Sequence, residues 1–73
     1  MERILQRALE QKQQLEMIYL DQNGDYSQRI VRVVKIYEDD FLAFCFTKQG
    51  VRRFKKIHVL SILPYKKGKR FKA

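Results

Sequence analysis

Three consecutive residues, Arg52-Arg53-Phe54, carry the most distinctive chemistry of this chain. They follow an apolar, aromatic run at positions 41–46, across a turn that contains Gly50. A guanidinium is a planar, permanently charged fork that grips a phosphate at two points and stacks on rings. Arginines beside aromatic side chains therefore suit phosphates and bases. Bond-breaking is not expected, because no nucleophile and general base accompany them. The sequence has one histidine, His58, and one cysteine, Cys45, in its most apolar run. No paired carboxylates lie at a useful acid–base spacing. Asp39-Asp40 lacks a third ligand at metal-binding spacing and reads as a turn. The expectation is a chain with no catalytic residue, no metal and no cofactor.

The charge balance agrees with an anionic partner. Sixteen Lys and Arg residues against eight Asp and Glu give a net charge of +8. The last acidic residue is Asp40; from Phe41 onward every charge is positive. Such asymmetry is harder to assign to solvation than an even spread would be. It favours polyanions of any kind, with nucleic acid foremost. Seventy-three residues make one small domain with a modest core. A single cysteine excludes an intrachain disulfide, so Cys45 is expected as a buried, inert thiol and homo-oligomerisation is an open route to stability. No charged-then-apolar leader and no membrane-length apolar run are seen, which leads to the expectation of a cytoplasmic protein.

The elements that must position these arginines can be read from periodicity. Residues 2–14 predict a helix, with Ile4, Leu5, Ala8 and Leu9 as its apolar stripe. Residues 15–21 alternate as a strand, with Leu15, Met17 and Tyr19 on one face. Asn23-Gly24 predicts a type I′ hairpin turn, which needs positive φ at both residues. Residues 26–37 form a β-branched second strand, apolar on parts of both faces, as in a strongly bent strand of a small barrel. Further strands are expected at 41–47, 51–57 and 58–63, with Pro64 ending regular pairing. Positions 66–73 read as a basic C-terminal tail after a single domain at 1–65. The order predicts an α+β fold, an N-terminal helix packed on a five-stranded antiparallel Sm/SH3-like β-barrel.

At this level the chain resembles the WYL domain of bacterial transcriptional regulators. The features are the leading helix, a strand ending in Tyr19, Asn23-Gly24, Arg29-Ile30-Val31, Ala43-Phe44-Cys45, and Arg52-Arg53-Phe54 seven positions after the cysteine. The family's pattern there is Ala-Tyr-Cys, a short turn and Arg-x-Phe. The resemblance implies an Sm-like barrel and a regulatory ligand, single-stranded nucleic acid first. By position, Arg29 and Arg52 match the family's basic residues and Phe54 the aromatic of Arg-x-Phe. The Trp-Tyr-Leu triplet itself is missing: Asp39, Asp40 and Phe41, or Asp40, Phe41 and Leu42, stand there. His58 stands where the family usually has arginine. No helix-turn-helix accompanies the single helix, which implies a stand-alone, divergent member.

The candidate binding set is thus Arg29, Lys35, Tyr37, Arg52, Arg53, Phe54 and Lys55. Arg29 and Arg52 are expected to hold phosphate, with Arg53, Lys35 and Lys55 adding field. For Arg53 taken alone, the favoured reading is a solvated strand residue with a cross-strand partner such as Glu16 or Asp21. Tyr37 or Phe54 is expected to expose a ring for stacking, and His58 to be an ordinary surface residue. Two other functions are kept open. One is a sensor of a small anionic metabolite or nucleotide. The other is a protein-interaction or oligomerisation barrel with an open strand edge.

Overall fold

A computed structural model describes residues 1–66. Helix α1, Glu2–Gln11, buries Leu5 and Ala8, with Ile4 and Leu9 packed beside them. It ends at Gln11, not at 14, because Lys12 turns left-handed (φ 54°). The amides of Lys12 and Gln13 both reach the Ala8 carbonyl, the latter at 3.0 Å. This reversal frees the following residues for strand β1, Gln14–Leu20.

Four further strands follow: β2 at Tyr26–Ile36, β3 at Asp40–Cys45, β4 at Gly50–Lys55 and β5 at Val59–Pro64. All pair antiparallel in the order β4-β3-β2-β1-β5. A short 3₁₀ turn, Lys56–His58, links β4 to β5 where the fourth and fifth strands were expected to meet directly. The expected barrel is not closed by hydrogen bonding, since no β4–β5 ladder exists among the described residues. Tyr19 of β1 instead reaches the end of β4, its hydroxyl accepting from the Lys55 amide at 2.9 Å.

Two local devices depart from expectation. The β1–β2 turn is not type I′: Gly24 has φ 83°, while Asn23 has no positive φ. The Asp21 carboxylate accepts the amides of Asn23 (2.9 Å) and Asp25 (3.0 Å), and the Asp21 carbonyl accepts Gly24 N–H at 3.1 Å. That chemistry favours a longer loop ending in a left-handed glycine. In β2, a register shift between Val33 and Lys35 inserts one residue. Val34 is thrown outward, and Ile36 returns to the face that carries Val33. The mixed apolar pattern of this strand is therefore a bulge that changes which parity faces inward.

The core lies between α1 and the concave face of the sheet. Leu15, Met17, Val31, Val33, Phe41, Ala43, Cys45 and Phe54 fill it with the helix residues Leu5 and Ala8. Cys45 is a free, buried thiol. Lys56 fastens the N-terminus of the helix to the far loop: its ammonium donates to Glu2, to the Tyr37 carbonyl (2.6 Å) and to the Glu38 carbonyl (3.0 Å). Among the described residues no helix is long and apolar enough to cross a membrane.

Candidate anion-binding groove

Arg29 and Arg52 both belong to the concave face. Arg29 lies two residues before buried Val31 and opposite Met17; Arg52 lies two residues before buried Phe54 and opposite Ala43. Alternation along a strand keeps such residues on one side of the sheet. The helix covers only part of that side, packing chiefly on β2. At the uncovered end the inward row stops being apolar, and a groove of about 480 Å³ opens.

Arg29, Arg52, Lys55, Tyr19, Phe54 and His58 line this groove, and the β1–β2 turn closes one end of it with Asp21 and Asn23. Its floor is aromatic. The Tyr19 and Phe54 rings meet edge to face at 5.0 Å, and Phe54 lies 5.6 Å from Phe41. The Arg29 guanidinium carbon stands 6.0 Å from the centre of the Phe54 ring. This is the outer limit of a cation–π contact. Arg29 Nε donates to Ser27 Oγ at 3.1 Å, which fixes the arm and leaves its terminal nitrogens for a ligand. Neither Arg29 nor Arg52 has an ion pair among the described residues. One guanidinium over an aromatic floor and a second lining the same groove, neither in an ion pair among the described residues, form a place where an anion gains charge-assisted hydrogen bonds.

The other expected site residues fall elsewhere. Arg53 borders the groove, but its guanidinium turns to the opposite face and donates to Asp40 at 2.9 Å. There it lies 5.2 Å from the Tyr37 ring, and Lys35 lies 5.4 Å from the same ring. Lys35 and Tyr37 thus lie outside the groove, and Arg53, though it borders the groove, turns its guanidinium to them. The expected carboxylate partner of Arg53 exists, although it is Asp40. Lys55 contributes its amide to Tyr19 and extends an exposed side chain.

Of the two rings expected as candidates for exposure, Tyr37 and Phe54, the structure buries one. Phe54 does not offer an exposed ring: it is 3 % exposed and belongs to the core. Its neighbour Lys55 is exposed because adjacent strand residues face opposite ways. Tyr37, at 37 % exposure, keeps an accessible ring. His58, expected as an ordinary surface residue, is half-buried at the groove, its ring centre 6.0 Å from that of Tyr19. Its position at the place of a family arginine was the available signal. Asp21 and Asn23 carried none beyond turn chemistry. The basic stretch at 67–73 lies outside the described residues.

No family model matches the sequence, and no curated protein matches it. Among solved structures, the proteasome accessory factor B/C (PafBC) of Arthrobacter aurescens superposes with a TM-score of 0.79 at 27% identity. The match covers 93% of this chain and 11% of PafBC, so the chain spans about a tenth of that protein's length. PafBC contains a WYL domain. The fold is WYL-related.

Proposed function

We propose that this chain is a non-enzymatic ligand-binding module of bacterial transcriptional regulation, acting in the cytoplasm, and that its ligand is single-stranded nucleic acid. The observation that carries this reading is the convergence of Arg29 and Arg52, from strands β2 and β4, on one groove floored by Tyr19 and Phe54. Phosphates take the guanidinium forks, and Lys55 adds field at the rim. The likeness to PafBC, a regulator with a WYL domain, supports the regulatory setting. On this reading the chain is a divergent WYL domain, and its five-stranded sheet is an open variant of an Sm/SH3-like barrel, with the Tyr19–Lys55 bond linking β1 to the end of β4.

A titration of the protein with short single-stranded DNA and RNA, followed by amide chemical shifts, tests this. Shifts are expected around Arg29, Arg52 and His58. Affinity should fall linearly with salt on a log–log scale, by about 0.7 per phosphate neutralised. Arg52→Ala should weaken binding about tenfold or more without unfolding the domain. Salt-insensitive binding, or an unaffected Arg52→Ala, sinks the site.

The groove volume favours one competing reading. About 480 Å³ is within the range of pockets that take a whole small molecule. A free nucleotide or other anionic metabolite would then be the ligand, and mononucleotides would compete as well as oligonucleotides do.

A further inference from the structure

The inference rests on the reading of the groove as an anion site and concerns what sets its affinity. We propose that His58 is a third anion-contacting residue of the groove, and that it makes binding of a phosphodiester strand depend on pH. Protonated, its imidazole adds a third positive group and a hydrogen-bond donor to the two guanidiniums. Neutral, it adds no charge.

The placement is built and not incidental. His58 ends the 3₁₀ turn that carries the chain from β4 to β5, so its backbone is fixed by both strands. The side chain is half-buried against the Tyr19 ring, whose hydroxyl is itself held by the Lys55 amide. The charged and titratable groups around it come from every neighbouring element. Tyr19 belongs to β1, Asp21 to the β1–β2 turn, Arg29 to β2, and Arg52, Arg53 and Lys55 to β4, the Arg53 guanidinium being held by Asp40 on the opposite face. Four of these are cations and one is a carboxylate. One oxygen of that carboxylate, Oδ1, is already occupied by the amides of Asn23 and Asp25. A bound phosphate would add a negative neighbour to the imidazole, and each would favour the other.

The chemistry isolates the effect. A phosphodiester keeps its charge from about pH 5 to about pH 8, and histidine is the side chain whose ordinary titration falls inside that window. His58 is the sole histidine of the sequence. Arginine and lysine side chains ordinarily titrate well above it. A change in affinity across the window that His58→Gln abolishes thus reports on this imidazole.

The test is calorimetric titration of the full chain with a short oligothymidylate at about pH 5.5 and about pH 8, at constant ionic strength. Binding is expected to be about tenfold tighter at the lower pH, the size of one added charge-assisted contact. His58→Gln should bind equally at both pH values, near the weaker wild-type level. His58→Lys should bind equally at both, near the stronger one. Should the substitutions disturb folding, the wild-type imidazole resonances supply the answer: their titration midpoint should move to higher pH when the oligonucleotide is present. A wild-type affinity that is the same at both pH values overturns the proposal. So does a pH dependence that survives in His58→Gln, or a midpoint unmoved by the ligand. No binding at any pH would instead defeat the nucleic-acid reading of the groove, which distinguishes the two failures.

Discussion

Two clusters on opposite faces of one sheet combine the same ingredients with different results. In the groove, Arg29 stands over Phe54, with Arg52 and Tyr19 lining the same space; at the far side of β3 and β4, Lys35 and Arg53 stand over Tyr37. Arg52 and Arg53 are neighbours in the chain, and strand alternation alone sends them to opposite sides. What separates the clusters is the ring and the carboxylate. Phe54 is part of the core, whereas Tyr37 is partly exposed. Arg53 is neutralised by Asp40, whereas Arg52 has no ion pair among the described residues. A cation beside an aromatic ring is therefore too coarse a signature for a binding site. An uncompensated cation over a buried, rigid ring is the more selective one.

The contrast is broken most forcefully at the rings. Phe54→Ala removes a buried side chain that contacts Phe41 and Tyr19, and should cost about 3–5 kcal/mol. Tyr37→Ala removes a half-exposed ring and should cost well under half of that. Urea denaturation of both variants measures the difference. Equal losses would mean that Phe54 is not the floor of the groove, and the distinction between the clusters would collapse.

The sequence made some of this legible for definite reasons. The helix stripe of Leu5 and Ala8 and the alternation of Leu15, Met17 and Tyr19 survive because burial enforces those periods. The pairing of Arg29 with Arg52 on one face could be inferred from their match to a family pattern. Other features depended on information that no period contains. The bulge at Val34 reverses which residues of β2 face inward, and it is set by packing on β3. The 3₁₀ turn at Lys56–His58 replaces strand because the chain must cross from one sheet edge to the other. The turn at Asp21–Asp25 is governed by an aspartate side chain that outcompetes the Asn-Gly preference. Phe54 was misplaced by reading its sequence neighbour Lys55 as its environment.

At the cations, the expected effects are intermediate. Arg52→Ala should weaken oligonucleotide binding about tenfold or more, while Arg53→Ala should change it by about threefold or less. The two variants have the same charge, so net basicity predicts equal losses. Calorimetric titration of both with one oligonucleotide separates local geometry from overall field. Equal effects would reduce the groove to a consequence of charge alone.

The smallest expected effect sharpens the comparison furthest. The Arg53–Asp40 pair is exposed on the arginine side, so breaking it should cost the fold about 0.2–1 kcal/mol. Asp40→Asn would release the Arg53 guanidinium while leaving Tyr37 and Lys35 in place. If the carboxylate is what keeps this face from binding anions, the variant should gain affinity by a few-fold. The slope of log affinity against log salt should also steepen, by about 0.7 for one additional phosphate contact. If the ring's exposure is the deciding difference instead, Asp40→Asn raises affinity only by its long-range charge. In that case salt would abolish the gain, and the shifts on titration would stay confined to the groove residues.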